Sequence, residues 1–217
     1  MAKVAVVLAG CGVYDGAEIN EAVLTLLALE QQGAEYQCFA PNIEQMHVVN
    51  HLTGEVAEGE SRNVLVEAAR IARGNIKDIR EAKAEEFDAL LVPGGFGAVK
   101  NLSDFAVKGA DMTVQKDFLA LAQAMYHTNK PIGLICIAPA MSAAIFGEGV
   151  ECTIGNDADT AAAIEAMGAK HICCPVQEAH VDTEKKLVTT PAYMLAGSIG
   201  EAAEGINQCV KSVLGMM

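Results

Sequence analysis

The stretch Lys130-Pro-Ile-Gly-Leu-Ile-Cys136-Ile-Ala-Pro-Ala-Met-Ser-Ala-Ala144 passes from a short apolar run directly into residues typical of a helix. Ile132–Ile135 predicts a buried strand, and Ala138–Phe146 predicts the helix that follows it. Cys136 therefore lies on a strand-to-helix turn, where unpaired N–H groups and the positive end of the helix dipole favour a thiolate. The turn indicates a candidate cysteine nucleophile.

Apolar runs and helical patterns alternate on both sides of this turn. Further strands are predicted at Val4–Leu8, Tyr36–Phe39 and Ala89–Val92, and further helices at Glu18–Gln32, Arg62–Arg73, Val114–His127 and near Ala196–Leu214. This order predicts an α/β fold with a mostly parallel sheet and helices on both faces. The short segments Gly168–Pro175, Ala179–Val181 and Leu187–Thr190 predict a small C-terminal hairpin or edge strands.

Composition limits the classes of partner and compartment. The 217 residues are 52% hydrophobic, which suits one domain spanning 1–217. A net charge of −13 argues against nucleic acid and anionic membranes as partners, and the N-terminus lacks the pattern of a signal peptide or membrane span. Seven cysteines without a C-x-x-C pair indicate free thiols in a reducing compartment, so we expect a cytoplasmic protein.

The loop after the first predicted strand contains Gly10-Cys-Gly12 and, at the start of the next helix, Glu18 and Glu21. The glycine spacing differs from a dinucleotide fingerprint, and Asp15 and Glu18 would repel a pyrophosphate, so no cofactor is expected. Glu18 and Glu21 lie three apart on one helix face. Either carboxylate could point into a cleft, or both could simply complement the helix dipole.

The loop Pro93-Gly-Gly-Phe-Gly97 also follows a predicted strand. Its glycines let backbone N–H groups approach a ligand, as an oxyanion hole requires, although an ordinary glycine turn has the same composition. Taken alone, a strand-ending cysteine such as Cys136 is more often an inert buried residue than a nucleophile. Three such loops at the carboxyl ends of parallel strands favour the reactive interpretation.

Histidines give no clear partner for Cys136, because none adjoins it in sequence. His180-Val-Asp182 could be a base and its orienting acid, or two solvated positions on an edge strand. His47 and His51 are four apart but lack a helical context and a third ligand, so no metal site is expected, and the pair Cys173-Cys174 is interpreted as structural. The polar stretch Asn42–Glu60 predicts an excursion from the sheet, either a lid or a dimer contact.

Six segments together resemble one protein family. They are Gly-Cys-Gly-Val-Tyr-Asp-Gly-Ala-Glu (10–18), Asn-His-Leu-Thr-Gly-Glu (50–55), Pro-Gly-Gly-Phe-Gly-Ala (93–98), Lys-Asn-Leu-Ser (100–103), Cys-Ile-Ala-Pro-Ala-Met (136–141) and Thr-Thr-Pro-Ala-Tyr-Met (189–194). The chain resembles, almost end to end, the ElbB group of the ThiJ/PfpI superfamily, also called enhancing lycopene biosynthesis or sigma cross-reacting protein, with a class I glutamine amidotransferase-like fold. The resemblance implies a flavodoxin-like three-layer α/β/α sandwich and a homodimer.

Carried over residue by residue, the resemblance implies that Cys136 is the nucleophile and Glu21 its partner, with Glu18 one turn earlier as the alternative carboxylate. The oxyanion donors would be the N–H groups of Gly95 and Ile137. Many relatives have histidine where this chain has Ile137, which weakens protease chemistry. The histidine-proline-glutamate segment of true glutamine amidotransferases is also missing.

The resemblance implies a cofactor-independent glyoxalase, and with it a protein deglycase activity. A small dicarbonyl such as glyoxal or methylglyoxal would become glycolate or lactate through a hemithioacetal of Cys136. The first alternative is a thiol redox sensor whose Cys136 sulfinate is held by a protonated Glu21. The others are a regulatory partner linked to isoprenoid or nitrogen metabolism, with only incidental catalysis, and an amidotransferase subunit.

Overall fold

A seven-stranded sheet lies at the centre of the computed structural model, which describes residues 1–217. The strands of the chain are β1 (Lys3–Val7), β2 (Glu35–Ala40), β3 (Val49–Asn50), β4 (Glu55–Val56), β5 (Ile76–Asp78), β6 (Ala89–Val92), β7 (Ile132–Ile135), β8 (Glu151–Cys152), β9 (Lys170–His171), β10 (His180–Asp182) and β11 (Leu187–Thr190). The central sheet has the order β10-β11-β7-β6-β1-β2-β5, in which only the β10–β11 pair is antiparallel.

Helices cover both faces of this sheet. They are α1 (Ile19–Gln31), α2 (Val64–Ile71), α3 (Phe96–Lys100), α4 (Phe105–Lys108), α5 (Lys116–His127), α6 (Ser142–Phe146), α7 (Ala158–Ala166) and α8 (Ile199–Gly215). None of them combines the length and the apolar character needed to span a bilayer.

The central strands are buried on both faces, as is usual for parallel strands between two helical layers. Every residue of β6 and β7 is buried. Neighbouring residues enter different cores: Leu90 and Leu134 belong to a cluster of 30 buried residues on the α5 side, whereas Leu91 and Ile135 belong to one of 24 on the side of α1 and α8. The predicted three-layer α/β/α sandwich with a small C-terminal hairpin is confirmed.

Several short elements differ from the sequence expectation. The expected helix 138–146 is a 3₁₀ turn, Ala138–Met141, followed by α6; Pro139 in its first turn has no N–H to donate. Helix α7 was not predicted, although Asp157 caps it by accepting from the N–H of Thr160. Strand β5 was missed because it is a three-residue edge strand without a fully buried position.

The stretch 42–60 leaves the sheet, as expected, and forms the small β3–β4 hairpin. Two hydrogen bonds fasten this hairpin to the loop after β1. The N–H of Val49 donates to Oδ2 of Asp15 (2.8 Å), and the N–H of Tyr14 donates to Nε2 of His51 (3.1 Å). The hairpin therefore supports the loop that leads into α1.

Candidate active site

Cys136 follows directly after β7, at the carboxyl edge of the sheet. Its φ is +63°, and its N–H donates to the carbonyl of Thr190 at the end of β11 (2.9 Å). A left-handed conformation costs a residue with a side chain on the order of 1–3 kcal/mol and persists where the surroundings impose it. The turn lifts the thiol off the sheet, and the side chain of Cys136 is only 6% exposed.

Glu21 on α1 is the carboxyl group that meets this thiol. Its side chain is completely buried and lies beside that of Cys136, so that the two groups affect each other's pKa. The N–H of Gly94 donates to Oε2 (2.9 Å), and the N–H of Tyr193 donates to Oε1 (3.1 Å). A side chain at Gly94 would collide with Cβ of Cys136 and lie 2.7 Å from Oε2 of Glu21, so the contact requires glycine there.

Burial changes the acidity of both groups. It raises the pKa of Glu21 from its ordinary value of 4.5 to about 7, against the opposing hydrogen bonds from Tyr193, Cys136 and Gly94. Burial, and then the Glu21 carboxylate, raise the pKa of the Cys136 thiol. The expectation that a helix dipole favours the thiolate is therefore wrong, since only a short 3₁₀ turn follows Cys136. Below about pH 7 both groups therefore hold their proton, and Glu21 is the first of the two to ionise as the pH rises.

Two backbone donors converge on the same sulfur. The backbone N–H groups of Gly95 and Ile137 favour the ionised form of Cys136 and so oppose the rise in its pKa, and neither donates to another residue in a turn or loop. Gly95 has a φ of +90°, and a side chain there would collide with the backbone nitrogen of Glu18.

A cavity of about 390 Å³ opens above the thiol. It is lined by Val13, Glu18, Gly95, Phe96, Val99, Phe105, Ala106, Cys136, Ile137, Asp157, Thr160, Tyr193 and Met194. Glu18 is part of this wall, whereas Glu21 lies behind the sulfur and does not line the cavity. Oε2 of Glu18 caps α1 by accepting from the N–H of Glu21 (2.7 Å), and the N–H groups of Asn20 and Ile19 also stabilise its ionised form. Burial raises the pKa of Glu18 as well.

The remaining candidate residues lie elsewhere. Oδ2 of Asp182 accepts from the N–H of Glu151 (2.9 Å), and Nε2 of His180 lies 3.3 Å from Oε2 of the same Glu151, so this pair belongs to the edge of the sheet. His51 holds the β3–β4 hairpin, and no part of 42–60 lines the cavity. The chain contains no cluster of three or more His, Cys, Asp or Glu side chains that could hold a metal.

Sequence reasoning missed several residues of the cavity. Tyr193 orients Glu21 through its backbone and lines the cavity, and it lies in one of the six segments that carry the resemblance. Asp157 was missed together with the helix that it caps. Phe96 is 46% exposed and Phe105 half-buried. Because apolar residues beside glycine loops are common, only the structure indicates their place in the wall.

Comparison with known proteins identifies relatives along the whole chain, although no family model matches. The chain is 50% identical to the human "glutamine amidotransferase-like class 1 domain-containing protein 3, mitochondrial", over 98% of this chain and 82% of that protein. It is 49% identical to the rat "ES1 protein homolog, mitochondrial", over 98% of this chain and 83% of that one. The expectation of a cytoplasmic protein is thus wrong: the relatives are named mitochondrial, and free cysteines indicate a reducing compartment without identifying it.

Solved structures agree with the fold. A crystal structure of an isoprenoid biosynthesis protein with an amidotransferase-like domain from Ehrlichia chaffeensis has a TM-score of 0.93 and 38% identity, over 100% of this chain and 99% of that chain. Glyoxalase III from Candida albicans has a TM-score of 0.61 at 15% identity, over 100% of this chain and 97% of that one. The second likeness concerns the fold alone.

Proposed function

The chain belongs to the family of glutamine amidotransferase-like class 1 domain proteins that includes the ES1 proteins, and we propose that it is a cysteine-dependent, glutathione-independent glyoxalase. Within that family we assign it to the ElbB group on its six characteristic segments. The isoprenoid biosynthesis protein from Ehrlichia chaffeensis supports this assignment by its name.

The supporting observation is the set of groups around one sulfur. Cys136 has a carboxyl partner in Glu21 and two backbone N–H donors at Gly95 and Ile137. No histidine lines the cavity. Amide hydrolysis needs a group that protonates a leaving amine, whereas addition to an aldehyde has no leaving group. The site therefore suits a carbonyl substrate better than an amide.

In the proposed reaction Glu21 accepts the thiol proton as the sulfur of Cys136 adds to the aldehyde carbon of methylglyoxal. The N–H groups of Gly95 and Ile137 hold the resulting alkoxide. A proton then moves from that carbon to the neighbouring carbonyl carbon, so the first carbon is oxidised, the second is reduced and a thioester forms. Water hydrolyses the thioester, which releases lactate and returns the thiol. Glyoxal gives glycolate in the same way.

We assign the proton transfer between the two carbons to Glu18. Both oxygens of Glu21 already accept backbone hydrogen bonds and Glu21 does not line the cavity, whereas Glu18 is part of the cavity wall. The raised pKa of Glu18 moves it toward the range in which one carboxyl group can both accept and donate. Glu21 thus acts on the thiol, and Glu18 acts on the substrate.

Cys136→Ser tests the proposal. With methylglyoxal and no glutathione, we expect wild-type protein to form lactate, measured by NMR, and Cys136→Ser to form none. Cys173→Ser is the matched control because it removes an exposed thiol outside the cavity. Lactate formation by Cys136→Ser at the wild-type rate would contradict the proposal.

Two further variants separate the carboxylates. Glu18→Gln should lose turnover but keep the wild-type rate of alkylation of Cys136 by iodoacetamide, since Gln can still cap α1. Glu21→Gln should change both, because it removes the partner of the thiol. Equal turnover in Glu18→Gln and wild-type protein would contradict the role of Glu18, and Glu21 would then carry out both proton transfers.

The homodimer is retained as a proposal. Ile19, Val23 and Leu27 recur every four residues on α1 and are each 45–48% exposed, which forms an apolar stripe on an otherwise amphipathic helix. Such a stripe is typical of a helix that packs against another surface. A second copy of the chain is the partner that we propose for it.

A further inference from the structure

The cavity above Cys136 is much larger than a three-carbon dicarbonyl requires. Its volume of about 390 Å³ falls in the range of roughly 300–1,000 Å³ that is typical of pockets for drug-sized ligands. Methylglyoxal would contact the sulfur and the two N–H donors but leave most of the wall in water. The space beyond the thiol therefore accommodates a larger carbonyl compound.

The wall is chiefly apolar, since 9 of its 13 residues are hydrophobic. Phe96 begins α3 and Phe105 begins α4, and Val99 and Met194 line the same cavity. The ring of Phe96 also lies beside that of Tyr14, with centroids 6.4 Å apart, which supports it although it is half exposed. An apolar body on the substrate would displace water from these side chains, with a gain of about fourfold in affinity per buried methylene.

The charged groups in the wall are both acids. Glu18 is half-buried, and hydrogen bonds from Thr160 lower the pKa of Asp157, which therefore stays ionised. No lysine or arginine lines the cavity. Lys100 lies 5.3 Å from the centroid of the Phe96 ring, but its Nζ donates to the carbonyl of Tyr14 outside the wall. A carboxylate or phosphate on the substrate would meet repulsion here.

We propose that the site acts on uncharged 2-oxoaldehydes with an apolar body larger than a methyl group, an inference that rests on the glyoxalase function proposed above. The aldehyde end binds the sulfur of Cys136, and the apolar body lies against Phe96, Val99 and Phe105. The product is the corresponding 2-hydroxy acid: the aldehyde carbon is oxidised, the ketone carbon is reduced, and water supplies the added oxygen. The reaction needs no other reactant, and the acidic wall favours release of the anionic product.

Three substrates test the proposal with the wild-type protein. We expect kcat/KM for phenylglyoxal to exceed that for methylglyoxal by at least about tenfold, since a phenyl ring buries several methylene equivalents. We expect 4-carboxyphenylglyoxal, which has the same body and one negative charge, to fall at least about tenfold below phenylglyoxal. Equal values for phenylglyoxal and methylglyoxal would overturn the preference for an apolar body. Equal values for phenylglyoxal and its carboxylate would overturn the selection by charge.

A variant separates binding by the wall from the intrinsic reactivity of phenylglyoxal. Phe96→Ala should lower the ratio of kcat/KM for phenylglyoxal to that for methylglyoxal by at least about fivefold. Val107→Ala is the matched control, because Val107 is 67% exposed on α4 and does not line the cavity, and it should keep the wild-type ratio. An unchanged ratio in Phe96→Ala would overturn the assignment of the wall. If wild-type protein converts methylglyoxal alone, only this inference fails; if it converts neither substrate, the glyoxalase function fails too.

Discussion

Glu21→Gln should make the stability of the protein less sensitive to pH, and the size of the effect follows from burial of this carboxyl group. Its pKa rises from 4.5 in the unfolded chain to about 7 in the folded protein. The folded state therefore prefers the neutral form, and the associated stability is complete below about pH 4.5 and is lost as the pH rises through about 7. At 1.36 kcal/mol per pH unit, the total loss is about 3 kcal/mol, most of which falls between pH 5 and 8.

Urea unfolding at about pH 5 and about pH 8 measures this difference. A glutamine at position 21 can accept from Gly94 or from Tyr193 but turns its amide N–H₂ toward the other donor, a cost that is the same at both pH values and cancels. We expect wild-type protein to lose roughly 2–3 kcal/mol more than Glu21→Gln over this interval. Glu58→Gln, at an exposed position, controls for the loss of one negative charge. An equal loss in wild-type protein and Glu21→Gln would refute the assignment of a buried, neutral Glu21.

Three other predictions concern the site and its surroundings. Gly94→Ala should abolish turnover and destabilise the fold by about 1–3 kcal/mol, because the added methyl group would overlap Cys136. Gly215→Ala is the control, since a methyl group there meets no neighbour, and it should change neither turnover in kinetic assays nor stability in urea unfolding. Turnover of wild-type protein should rise with pH through about 7, because Glu21 must be ionised to accept the thiol proton, and a profile that falls over this interval would contradict its role as base. Val23→Glu should convert the proposed dimer to a monomer in analytical ultracentrifugation, and an unchanged sedimentation coefficient would place the interface elsewhere.

The sequence specifies the central sheet more fully than the site. Strands such as Ala89–Val92 and Ile132–Ile135 are continuous apolar runs, so the sequence alone predicts their burial between two helical layers. The turn at Cys136 can be predicted as well, because it lies where one of these apolar runs ends. The meeting of Glu21 with this thiol depends on the missing side chain of Gly94 and on the N–H of Tyr193, 172 residues away, and no local pattern encodes such a contact.

The acidity of Cys136 shows why local reasoning failed at the centre of the site. A strand-to-helix turn suggests a stabilised thiolate, but near-complete burial and a neighbouring carboxylate oppose ionisation more strongly than two N–H groups favour it. A thiol of this kind is poorly suited to spontaneous oxidation, which proceeds through the thiolate, and this argues against the redox-sensor alternative. It remains suited to addition reactions in which Glu21 accepts the proton as the sulfur–carbon bond forms, so the carboxyl group that suppresses the free thiolate can also generate it for attack on a bound carbonyl.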